Sequence, residues 1–84
     1  MTVDEFCDEL VSYISRISDQ EVGPESPLLG EGIIDSFNVL EIISFIEEVA
    51  GLRIRPDEVS LENFASPRSL AGWISARTAA AENA

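Results

Sequence analysis

The sequence predicts an all-α protein, a small four-helix bundle of three longer helices and one short one with a long first loop. Three observations point there. Apolar residues recur at spacings of three and four in separate runs, and helix start and stop residues bracket those runs. The one alternating stretch, Leu52-Arg53-Ile54-Arg55, meets Pro56 at once and has no second strand to pair with, so it is expected as an extended connector.

Thr2 and Glu5 fit a capping box, in which the hydroxyl accepts from the third helical amide and the carboxylate reaches back. Asp4 and Glu5 also suit the positive end of the helix dipole. Val3, Phe6, Cys7, Leu10, Val11, Ile14 and Ile17 then mark one face of a helix ending near Ile17. Cys7, on that face, reads as a small core residue.

From Ser18 to Asp35 the period is lost, punctuated by Gly23, Pro24, Pro27, Gly30 and Gly32. Connections of this length in small domains are either functional or pinned to the core. Leu28, Leu29, Ile33 and Ile34 are the expected pins.

Asp35 is a good N-cap, which makes Ser36 the first residue of the second helix. At 100° per residue, Val39, Ile42, Ile43, Ile46, Val49 and Ala50 cluster within about 120° as a core face. Glu41, Ser44 and Glu48 lie opposite. Phe37 and Leu40 project toward that polar side, beside the serine and among acids, which reads as a docking patch. Gly51 ends the helix.

Ser60 to Phe64 is expected to form one short helical turn burying Leu61 and Phe64. Ser66-Pro67 is a start signal for the last helix, with Leu70, Ala71, Trp73 and Ile74 as its apolar stripe and Trp73 as a core anchor. The bundle is expected over residues 1–78, with 79–84 a flexible tail. The start at Met1 and the acidic, alanine-rich end favour a free-standing protein.

Composition excludes several function classes. The 84 residues suit one small domain, and the net charge is −11, from sixteen acids against five basic residues that are all arginine. Such a surface repels phosphate backbones and anionic membranes and attracts basic protein surfaces. There is no histidine and one cysteine, so Ser-His or Cys-His nucleophile pairs, histidine or four-cysteine zinc sites and an intrachain disulfide are out of reach. No basic, apolar leader opens the chain, and acids break every apolar run. The expected location is the cytoplasm, without membrane insertion, and the expected state a monomer.

A serine at a helix start reads first as a cap, but Asp35 is the better cap and leaves Ser36 to point outward. Between Glu31 and Glu48 lie Glu31, Asp35, Glu41, Glu47 and Glu48 with no basic residue, so Ser36 lacks the base and oxyanion donors of acyl chemistry. A first-turn oxygen does suit a phosphate. Covalent attachment is therefore preferred to catalysis.

Gly32-Ile33-Ile34-Asp35-Ser36-Phe37, continued by Leu40-Glu41-Ile42-Ile43 and Phe45-Ile46-Glu47-Glu48, resembles the signature of acyl carrier proteins. The resemblance covers nearly the whole chain in element order, size and acidity. It implies that Ser36 carries 4′-phosphopantetheine through a phosphodiester, with Asp35 as its invariant neighbour. It also implies that Phe37, Leu40, Glu41, Glu47 and Glu48 form the docking surface for a phosphopantetheinyl transferase and for acyl-loading and acyl-processing enzymes with basic patches. No catalytic residue and no metal ligand follows. Phe37 departs from the usual leucine or methionine and enlarges the apolar knob. The Ser60–Phe64 segment is similar to that of stand-alone carriers in specialised (natural-product) biosynthesis. An aminoacyl or peptidyl carrier and an unmodified interaction module are the alternatives.

Overall fold

The structure, a computed structural model, describes residues 2–82. Three α-helices, α1 (Val3–Ser18), α2 (Ser36–Ala50) and α3 (Pro67–Glu82), carry the core, and no strand occurs among the described residues. α1 makes its larger interface with α3 and a smaller one with α2.

The local signals act as expected at each helix start. Thr2 Oγ1 accepts from the Glu5 amide at 3.1 Å, and a Glu5 carboxylate oxygen accepts from the Thr2 amide at 3.1 Å. Ser66 Oγ accepts from the Ser69 amide at 3.1 Å, with Pro67 at the first helical position. At the end of α2, Gly51 sits at φ 68°, a left-handed conformation that glycine adopts without Cβ strain.

Phe6, Cys7, Leu10 and Ile14 of α1 pack with Ile42 and Ile46 of α2 and Leu70, Ala71 and Ile74 of α3. The long loop joins this core through Val22, Leu28, Ile33 and Ile34, all buried, while Leu29 is half-buried. Backbone bonds complete the pinning. The Leu28 amide donates to the Ala65 carbonyl at 3.0 Å, and the Arg68 amide donates to the Pro24 carbonyl at 3.0 Å. Gly32, at φ 68°, turns the chain so that the Ile33 and Ile34 amides both donate to the Leu28 carbonyl.

Five expectations are corrected. The fourth, short helix of the expected bundle is reduced to a 3₁₀ turn at Pro56–Glu58 and the single helical turn expected at Ser60–Phe64, in which the Phe64 amide donates to the Ser60 carbonyl four residues back at 3.1 Å. Within that turn only Phe64 is buried, and Leu61 is 78% exposed. Ser60 Oγ accepts the Asn63 amide, and Asn63 Nδ2 donates to the Glu58 carbonyl. The polar atoms are thus satisfied locally and the turn buries one side chain instead of two.

Val49 is 38% exposed, because it borders an open cleft of about 370 Å³ between the α2 end, Thr2, Val3 and Thr78. Trp73 is half-buried and flanks Phe64, with ring centroids 6.1 Å apart, while the fully buried anchors of α3 are Pro67, Leu70, Ala71 and Ile74. Finally, α3 runs to Glu82, so residues 79–82 continue the helix where a tail was expected; residues 83–84 lie outside the described residues.

Candidate functional site

The site is built where the pinned loop enters α2. Asp35, in extended backbone, accepts the Asn38 amide at 2.9 Å through its carboxylate, while Asn38 Oδ1 accepts the Asp35 amide at 3.2 Å. This reciprocal pair does the capping. Asn38 was missed in the sequence, although a polar residue three positions after an N-cap is the signal that could have found it. With the cap assigned elsewhere, Ser36 stands exposed at the first helical position. Its oxygen lies at the positive end of the α2 dipole, next to first-turn amides without helical acceptors.

Along the same side of α2, Val39, Leu40 and Ile43 follow Ser36 at helical spacings of three, four and seven. They form one wall of an open apolar groove of about 390 Å³. The facing wall is Ile54, Pro56 and Val59, from the connector between α2 and α3. The sequence hid this wall, because these residues come opposite α2 only through the path of the connector.

The expected docking residues divide into two groups. Phe37 and Leu40 are exposed, at 69% and 64%, and Glu48 is exposed on the same outward side. Glu41 is half-buried; a carboxylate oxygen accepts from Asn38 Nδ2 at 3.0 Å, and its carbonyl accepts from the Tyr13 hydroxyl at 3.3 Å. Glu47 faces inward instead, half-buried, with a carboxylate oxygen accepting the Ile54 amide at 2.8 Å. Phe45, given no packing role from the sequence, stacks on Tyr13 with ring centroids 4.2 Å apart. That stack holds the back of α2 against α1.

Chemically, the neighbourhood presents one free hydroxyl, a helix terminus suited to a phosphate, and a short apolar trough leading away from it. A profile described as a phosphopantetheine attachment site matches residues 8–74, most of the chain. This chain belongs to the phosphopantetheine-bearing carrier proteins. Carriers of this family bear 4′-phosphopantetheine covalently on a serine, receive it from a phosphopantetheinyl transferase, and interact with partner enzymes; they are not themselves the catalysts. The chain is also similar to the D-alanyl carrier protein of Abiotrophia defectiva, 30% identical over 76 residues that cover 87% of this carrier and 96% of the relative. No helix among the described residues is long and apolar enough to cross a membrane.

The residues present fit the family's cofactor. An exposed hydroxyl, a helix start for the phosphate charge and an adjacent apolar groove are what such an arm and its load require of a protein surface.

Proposed function

We propose that Ser36 is the attachment serine and that the protein is a carrier of acyl groups, presenting them to successive biosynthetic enzymes. One observation carries this reading. Asp35 and Asn38 cap α2 between themselves, which leaves Ser36 exposed and unneeded for the fold, one helical turn before the Val39 and Leu40 wall of the groove. Attachment joins Ser36 Oγ to the phosphopantetheine phosphorus of coenzyme A, with 3′,5′-ADP leaving and the hydroxyl proton passing to the transferase. When bound, the arm supplies the thiol that holds cargo as a thioester. Ser36 fixes the position of the linkage, and the first turn of α2 favours its negative charge.

Phe37 and Leu40, with Glu48 and Glu41 beside them, supply the docking surface, an apolar pair within an acidic field. A basic partner is steered to it, and tethering then replaces diffusion by high local concentration. A second reading, an aminoacyl carrier, is favoured by the similarity to a D-alanyl carrier protein. The specialised-pathway reading rests on the Ser60–Phe64 segment of the sequence.

Incubation with a broad-specificity phosphopantetheinyl transferase and coenzyme A should add one arm to the wild type and none to Ser36→Ala. Absence of a mass increase on the wild type would overturn the proposal in favour of an unmodified interaction module. Intact mass of the protein from its own host separates an acyl from an aminoacyl load.

A further inference from the structure

The groove beside Ser36 has one firm wall and one borrowed wall. Val39, Leu40 and Ile43 belong to a helix, whereas Ile54, Pro56 and Val59 belong to a connector whose only regular structure is one 3₁₀ turn. Side chains from elsewhere hold that connector in place. On the α2 side, Glu47 accepts the Ile54 amide. On the α3 side, the Arg77 guanidinium grips the connector at two points. Its Nε donates to one Glu58 carboxylate oxygen, and its Nη2 donates to the other at 3.1 Å and to the Arg53 carbonyl at 2.6 Å. Arg53 and Glu58 bracket Ile54 and Pro56, and Val59 follows directly, so a single arginine spans the whole wall.

The chemistry suits a clamp. The fork of an arginine on a carboxylate fixes direction as well as distance. The pair is mostly shielded, with side-chain exposures of 27% and 21%, so solvent and salt screen it less than the exposed Arg55–Asp57 bridge at 72% and 66%. Ile54 and Val59 are only half-buried and Pro56 is exposed, so apolar packing alone holds the wall weakly.

We infer that the Glu58–Arg77 pair is a latch that sets how far the groove beside Ser36 opens, making Glu58 and Arg77 positioning residues for cargo. The cargo half of this inference rests on the reading of Ser36 as the attachment site.

Amide hydrogen exchange on the unmodified protein tests the latch without the arm. In Arg77→Gln and in Glu58→Gln, the Ile54 and Val59 amides should exchange about fivefold faster, while Leu10 and Ile14 keep their wild-type rates. Arg77→Lys, which keeps the charge but loses the fork, should fall between. No change, or a uniform rise that includes α1, overturns the inference. For the cargo half, octanoyl and acetyl groups are loaded from their coenzyme A thioesters and cleaved with hydroxylamine. The octanoyl thioester should be protected relative to acetyl in the wild type, and Glu58→Gln should lose about fivefold of that protection with acetyl unaffected. Equal rates for the two cargoes in the wild type, or no change in Glu58→Gln, overturn this half. If the wild type accepts no arm at all, the Ser36 reading fails, and the exchange data still decide the latch.

Discussion

Glu47 accepts the amide proton of Ile54 at 2.8 Å, so the last turns of α2 hold the connector that follows them. This acid therefore has a role in the fold beside the docking role expected of it from the sequence. Glu47→Ala should cost about 1.5 kcal/mol, the lower end for a bond to a charged acceptor because the group is half exposed. Glu48→Ala, on the open face, should stay within about 0.5 kcal/mol. Urea denaturation of the two variants side by side checks the contrast.

The cap of α2 separates stability from attachment. Asp35→Ala should destabilise by about 1 kcal/mol, since it orphans the Asn38 amide. Ser36→Ala should leave the denaturation midpoint within about 0.5 kcal/mol of wild type, because Ser36 is exposed and carries no capping bond. Thermal and urea midpoints, read alongside intact mass, show whether the two functions separate.

Phe37→Ala and Leu40→Ala remove exposed apolar surface and open no cavity. Both variants should fold with stability near wild type, yet lower the kcat/KM of the phosphopantetheinyl transferase by about tenfold, as truncation of a central docking anchor does. Raising salt should weaken the wild-type reaction as well, through the acidic surround. Unchanged transferase kinetics in both variants would remove this face from the docking surface.

Acid should release the latch. Hydrogen bonds from Arg77, and next the Arg55 amide, hold the Glu58 carboxyl below its ordinary value of 4.5. A folded-state pKa below the unfolded one means that the contribution is complete above the unfolded value and is lost as pH falls through the folded value. Glu5, held low by its Thr2 bonds, acts in the same direction from an exposed position. Melting temperature should therefore drop below about pH 4.5, and Arg77→Gln should fall less steeply than wild type over that range. Parallel pH profiles for the two proteins would rule out the linkage.

Legibility from the sequence followed locality. The bounds of α2, the Asp35 cap and the Thr2–Glu5 box depend on residues within one helical turn of each other, and all were readable. The pinning of Leu28, Ile33 and Ile34 was readable too, because four large aliphatics in a glycine-rich loop have few other uses. What stayed hidden was set by distant partners. Phe45 finds Tyr13 on another helix, Glu47 finds an amide beyond the end of its own, and Arg77 finds Glu58 and Arg53 across the fold. Val49 lies on the core side by periodicity but at an end of the bundle where the neighbouring elements diverge. At the site, the exposed serine and the Phe37–Leu40 pair were legible, and the second wall of the groove was not.

The backbone bond between Leu28 and Ala65 closes the intervening chain into a ring that contains α2 and its serine. Lengthening such a ring by one residue adds only about 0.02 kcal/mol of closure entropy. An insertion at Glu31 would nevertheless move Ile33 and Ile34 out of register with their pockets and turn Ser36 away from the groove. Extra residues between Gln20 and Glu21 fall outside the ring, in exposed chain just before the Val22 anchor. That junction is the permissive place for a spectroscopic label or a tether, and the turn at Gly32 is the forbidden one.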